Sequence, residues 1–340
     1  MNILFDLGHP AHVHLFKNLI NHAQTTGHHV TVAAREKDIT TTLLNHYQIP
    51  YTVVSKSQKS IPGMALELVE RDLKILNLHN KIRFDAAFGT SVSISHLTLL
   101  RGVKSFCFSD DDDSVIPLYT NLTYPFCTKI INPEGTKFKR WKSKRILYNS
   151  YQKLAYLHPN TFQPKIEVLE KYNLMPYKYV VIRNSALQAH HDYGAKGISK
   201  TLWKDIQPII SNYKIIQTTE NKGSFQIDPW DMHHVLSFAK LLISDSQSMS
   251  VESSVLGTPN LRYSTFSGRI SCLEELEHKY GLTKSFKPGE EDNLIQTTRS
   301  MVNDDNLNIT WHNKKNTMLE EKIDFGTWII NFFENEVNKK

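Results

Sequence analysis

The sequence predicts an α/β protein built from two doubly wound domains. Short apolar runs alternate with longer amphipathic ones, and the strand-like runs end in small polar turns. At 340 residues the chain exceeds the roughly 250–300 that a single core usually organises. Hydrophobic residues make up 40% of it, enough for packed interiors.

Asn2 to Leu7 is an apolar strand broken at Gly8-His9-Pro10, and an amphipathic helix is expected from about Val13 to Thr26, where Gly27 stops it. His29 to Ala34 supplies the next strand, followed by a strand at Thr52 to Val54, a helix from about Met64 to His79, and strands at Ala86 to Phe88 and Ser105 to Phe108. A second series begins after the polar stretch His158 to Gln163. It has strands at Tyr179 to Arg183 and Lys214 to Thr218, helices at Lys200 to Ser211 and Trp230 to Ala239, and a buried strand at Phe238 to Ile243. A helix from about Met249 to Leu256 follows, closed by Gly257-Thr258-Pro259. Phe325 to Val337 reads as an amphipathic packing helix. Two open sheets in tandem predict a cleft between them, with ligands outside the carboxyl ends of the strands.

Cys107, Cys127 and Cys272 are widely spaced and form no CxxC pair, as expected of buried thiols in a reducing cytoplasm. No basic leader precedes Ile3, and no apolar run approaches ~20 residues, so neither secretion nor membrane spanning is expected. A net charge of +6 favours anionic partners. The stretch Lys137 to Arg145 interleaves aromatics with cations, but no nucleic-acid module surrounds it. A solvated or membrane-facing loop is expected there, and no nucleic-acid partner.

Candidate chemistry gathers after the strands. His9, His12 and His14 stand at the first strand-to-helix junction. A metal triad is disfavoured, because His12 and His14 are two apart and the HExxH pattern is absent. One imidazole there can act as general base or donate to a phosphate or hydroxyl, or all three can be satisfied locally. Gly89, Thr90, Ser91 and Ser93 offer a close approach and hydroxyls for an acceptor, although N-capping accounts for one hydroxyl. Asp110 to Asp113 can orient a histidine base, hold Mg²⁺ through water, or form a solvated turn.

In the second half Arg183 ends a strand, where it suits a bidentate grip on phosphate or pairs with an acid such as Asp192. His190 and His191 follow, placed to neutralise a leaving diphosphate. The fullest motif is Ser244 to Pro259. Ser246, Gln247, Ser248 and Met249 form a turn whose backbone N–H groups suit phosphates, and Glu252 lies one turn further, where a carboxylate can accept from both ribose hydroxyls. An ordinary strand, cap and helix would look the same.

With these residues in place the chain resembles, over its full length, a family of uncharacterised bacterial and archaeal proteins predicted to be glycosyltransferases of the GT-B fold. The resemblance is carried by Asp6 to Asn18, Gly27 to Val30, Ala34 to Asp38, Ala189 to Gly194, Asp245 to Met249 with Glu252, Leu256 to Pro259, and Glu274-Glu275-Leu276. More distantly, the Asp245 motif is similar to the DSGG-x-x-EE-x-x-x-LG-x-P element of non-hydrolysing UDP-N-acetylglucosamine 2-epimerases. Here Gln247 and Ser248 replace its glycines and Val251 its first glutamate. His12-Val13 matches part of the GGH-V element of the peptidoglycan-precursor N-acetylglucosaminyltransferase.

The resemblance implies two Rossmann-like domains facing a cleft. Residues 1–160 would bind acceptor and 161–322 the nucleotide-sugar donor, while 323–340 would pack back on the first. It implies transfer of a sugar from a nucleotide diphosphate, UDP foremost, to a cell-envelope glycan or lipid-linked acceptor, without an obligatory metal or cofactor. His12 would be the base, with His9, His14 and Asp110 as alternates. The protein would be cytoplasmic, peripheral at the inner face of the membrane, in contact with anionic lipid. An epimerase or hydrolase of the same sugar nucleotide, or a binding protein without turnover, is the alternative.

Overall fold

The computed structural model describes residues 1–58, 60–184, 198–219 and 226–337. It divides into two compact units, Met1–Tyr156 with Ile323–Lys340, and Leu157–Lys322.

The first unit contains β1 (Asn2–Leu7), α1 (Pro10–Thr25), β2 (His29–Glu36), α2 (Thr40–His46), β3 (Thr52–Lys56), α3 (Ile61–Ile82), β4 (Ala86–Gly89), α4 (Val92–Arg101), β5 (Lys104–Phe108), α5 (Pro117–Thr123), β6 (Lys129–Pro133) and β7 (Arg145–Tyr148). A short turn, α6 (Leu154–Leu157), leads out of it. Its seven strands run in the order β3-β2-β1-β4-β5-β6-β7, all parallel. Buried on both faces, the central strands are almost continuously apolar, and alternation along β1 sends Leu4 and Phe5 to opposite sides. Leu4 joins Val54, Ile75, Phe84, Ile94, Leu97 and Tyr124. Phe5 joins an aromatic layer with Phe16, Phe88 and Phe108.

The second unit contains β8 (Tyr179–Asn184), α7 (Lys200–Ile206), β9 (Lys214–Thr219), α8 (Met232–Ser237), β10 (Leu241–Ser244), α9 (Gln247–Leu256), β11 (Asn260–Tyr263), α10 (Ser271–His278), β12 (Lys284–Phe286), α11 (Glu291–Val302) and α12 (Leu307–Glu321). Its five parallel strands are ordered β12-β11-β10-β8-β9. The chain then rejoins the first unit as α13 (Phe325–Val337), whose Phe333 ring lies 5.3 Å from that of Phe88. Among the described residues no helix is long and apolar enough to cross a membrane.

The helix expected from Val13 begins three residues earlier, at Pro10. Proline at the first position sacrifices only an N–H that lacks an intrahelical partner, and the extended His9 caps Ala11 N–H through its ring. The basic stretch Lys137 to Arg145 is part structural: Phe138 is buried and stacks on Tyr124, and Lys144 Nζ donates to the carbonyls of Tyr124, Pro125 and Cys127.

Candidate functional site

In each sheet the strand order reverses at one place, the crevice where open α/β sheets bind ligands. It falls between β1 and β4 in the first unit and between β8 and β10 in the second.

At the β1/β4 crevice, His12 stands in the first turn of α1. Its Nδ1 accepts the Gly8 N–H at 3.2 Å, and Thr90 Oγ1 lies 2.6 Å from Nδ1 and 2.9 Å from Nε2. An Nδ1 that accepts carries no proton, so the ring is neutral. Although part of its surface still reaches solvent, burial, reinforced by the positive charges of Lys153, Lys37, Arg71 and Arg35, lowers its pKa to about 3. His9 and His14 are not equivalent partners. The His9 ring is engaged with Ala11 N–H, and His14 is buried, stacked on Tyr156 at 5.3 Å. Helical spacing turns His14 toward the core, so only His12 of the three meets Thr90.

Beneath His12 lies a buried charge network that composition alone did not single out. Asp6, at the end of β1, accepts from Arg71 on α3 and from the Ser91 hydroxyl. Arg71 also donates to Ser55, which in turn donates to Glu67, and Glu67 holds Arg35 in a fork of 2.5 and 2.7 Å. Its signal in the sequence was charge inside otherwise apolar strands, since a lone buried carboxylate or guanidinium demands a partner. Of the four residues expected to serve an acceptor, Thr90 and Ser91 are half-buried at the crevice. Ser93 is only 1% exposed and turned into the core. Gly89 has a packing reason to be glycine, because a Cβ there would sit 2.7 Å from the Asp6 carbonyl oxygen.

The acidic run after β5 is mostly tied down. Asp110 pairs with Lys153 at 3.4 Å, Asp112 accepts from Lys137 N–H, and Asp113 from Lys139 N–H. Asp111, which the sequence does not separate from its acidic neighbours, is the exception among the described residues: no hydrogen bond reaches its carboxylate. Burial and the neighbouring Asp110 and Asp112 push its pKa up to about 7 against the pull of Lys153. Among the described residues no group of three or more His, Cys, Asp or Glu side chains is placed to share a metal ion.

At the second crevice, Arg183 and Ser244 are register partners, and the Arg183 carbonyl accepts the Asp245 N–H at 3.3 Å. The Ser246 side chain caps α9 by accepting from Met249 N–H, and its own N–H donates to Ser244 Oγ at 2.8 Å. Gln247 and Ser248 open the helix half-exposed, their N–H groups among those that lack an intrahelical acceptor. Met249 is buried and contributes packing. Glu252 is half-buried beside His233 of α8. His190 and His191 lie outside the described residues. The helix starts two residues before Met249 because Ser246 supplies the cap, and it stops where Gly257 adopts φ +78°.

The class these features define is the two-domain, Rossmann-like GT-B fold. Residues 1–308 match the model of "Protein of unknown function (DUF354)", and the chain belongs to that family. A comparison with curated protein sequences finds no significant match. Among solved structures the fold is similar to that of S. aureus MnaA in a co-structure with UDP, at TM-score 0.70 and 12% identity over 99% of this chain and 97% of the other. It is also similar to the spinosyn forosaminyltransferase SpnP, at 0.67 and 13% over all of both chains. A third is the UDP-GlcNAc 2-epimerase of Neisseria meningitidis bound to UDP-GlcNAc, at 0.59 and 13% over 94% and 99%.

Proposed function

We propose that the protein is a glycosyltransferase that binds a nucleotide-diphosphate sugar, UDP-linked foremost, in its second unit and delivers the sugar to a glycan or lipid-linked hydroxyl of the cell envelope. The observation that carries this reading is the β10–α9 junction. A capped helix start with outward N–H groups stands at a strand-order reversal beside Arg183, with Glu252 one turn further along. The diphosphate rests on Ser246, Gln247 and Ser248, Arg183 neutralises it, and Glu252 holds the ribose. The similar folds of a forosaminyltransferase and of UDP-GlcNAc-binding epimerases support the same ligand class.

In the first unit His12 and Thr90 orient the acceptor hydroxyl. The Gly8 N–H occupies His12 Nδ1, which leaves the ring's proton on Nε2 as a donor, so we assign proton removal to Asp111, the carboxylate after β5 that no hydrogen bond engages among the described residues and whose pKa is raised toward neutrality, with His12 as the alternate. The charge of +6 suits work beside an anionic membrane. Transfer is favoured over epimerisation by Val251. The epimerase pattern has a glutamate at this position, whereas here the side chain is apolar and only 4% exposed.

The test is incubation with a panel of nucleotide sugars, with and without a crude lipid or glycan fraction. Acceptor-dependent release of nucleoside diphosphate is the expected result. An epimerised or hydrolysed sugar nucleotide formed without acceptor would replace transfer by that chemistry, and binding with no product would leave a sensor.

A further inference from the structure

Arg262 lies in β11, in register with Ser244 on one side and Ser285 on the other, in the same row as Arg183. It is a large side chain with no solvent exposure. Its Nε approaches Ser285 Oγ at 3.4 Å, yet among the described residues neither terminal nitrogen has a hydrogen-bond partner. Glu274, Glu277 and Cys272 of α10 are close enough for their charges to act on it. None of them pairs with it among the described residues, and Glu277 is occupied with the Ser285 N–H at 2.9 Å. Three residues along, the Thr265 hydroxyl is also buried, without a partner among the described residues.

A buried guanidinium with two unmatched N–H₂ groups carries a heavy desolvation penalty unless something meets it. Four donor hydrogens in a planar fork match an oxyanion, and the Thr265 hydroxyl, three residues further along the chain, is a further donor in want of an acceptor. The position is also that of a ligand group, at the carboxyl end of a strand one place removed from the phosphate turn.

We propose that Arg262 and Thr265 form an oxyanion subsite, which takes either a phosphate of the nucleotide or the carboxylate of an acidic sugar attached to it. This rests on the sugar-nucleotide reading above.

Binding of pyrophosphate, UDP, UDP-glucose and UDP-glucuronate to the full chain, measured by calorimetry for wild type, Arg262→Met and Thr265→Val, separates the sources. A phosphate ligand predicts at least a 10-fold loss of pyrophosphate and UDP affinity in Arg262→Met, with a smaller loss in Thr265→Val. A carboxylate ligand predicts that wild type prefers UDP-glucuronate to UDP-glucose by at least 10-fold and that Arg262→Met abolishes the preference. Without ligand, Arg262→Met melts at or above the wild-type temperature, since an unmatched buried cation has been removed. Unchanged affinities in both variants overturn the subsite, all the more if Arg262→Met also melts lower, which marks a strut for α10. Should Arg262→Met fail to fold, Thr265→Val decides, unchanged affinity overturning the subsite. Pyrophosphate binding that depends on Arg262, without any UDP binding, retains the subsite and sinks the nucleotide reading; a wild type that binds none of the four overturns both.

Discussion

Glu252 Oε1 on α9 lies 3.5 Å from Nε2 of His233 on α8. The imidazole restrains the carboxylate from one side, which lowers the cost of orienting it for a diol. Hydrogen bonds to a charged group contribute about 1.5–3 kcal/mol each, so Glu252→Ala should weaken UDP binding by roughly 10- to 100-fold or more. Calorimetry with UDP and with free pyrophosphate checks the role, because the loss belongs to UDP alone; equal losses for both would move Glu252 from the ribose to the phosphates.

Asp111 and His12 make opposite predictions for pH. The folded pKa of Asp111, about 7, stands above the 3.8 of an ordinary carboxylate, so the folded state holds this proton more tightly than the unfolded chain. Its contribution to stability is complete below the unfolded pKa and is lost as pH rises through 7. Asp111→Asn should therefore gain in melting temperature over wild type above pH 7 and change little near pH 4. As a base Asp111 works in the deprotonated form, so kcat/KM should rise between pH 6 and 8. Asp111→Asn should lower it by roughly 10²-fold or more and erase that limb. His12→Ala should lower turnover while the limb stays; if the limb disappears in His12→Ala and survives in Asp111→Asn, the base is His12.

Gly89→Ala separates packing from acceptor binding. The added methyl meets the Asp6 carbonyl oxygen at 2.7 Å, and that atom belongs to the backbone of the neighbouring strand, so little can yield. Overpacking of this kind costs about 1–3 kcal/mol, measurable by chemical denaturation. Wild-type stability with a raised KM for acceptor would instead return Gly89 to the ligand.

The alternation of strands and helices made both sheets legible, because parallel strands buried on two faces must be apolar and must be joined by helices. The Ser246 cap and the Gly257 stop were equally readable, being local chemistry. The division of labour among neighbouring polar residues was not. Nothing in the order Asp110-Asp111-Asp112-Asp113 tells that Lys153 and the N–H groups of Lys137 and Lys139 engage three of the four. Those partners lie 25 to 43 residues away in sequence. His14 was misleading for the same reason, since the rings of Tyr47 and Tyr156 that flank it come from distant segments.

The first unit leaves the chain at Tyr156 and resumes at Ile323, and the ring of Phe333, fully enclosed, belongs to the same aromatic layer as Phe88. On the ribosome, therefore, the order of assembly is inverted: the residues up to Tyr156 wait for α13, while the domain inserted between them can finish first. Until α13 is released, the underside of Phe88 faces water, and a chaperone that recognises exposed aromatics would find its target on the N-terminal half of the nascent chain.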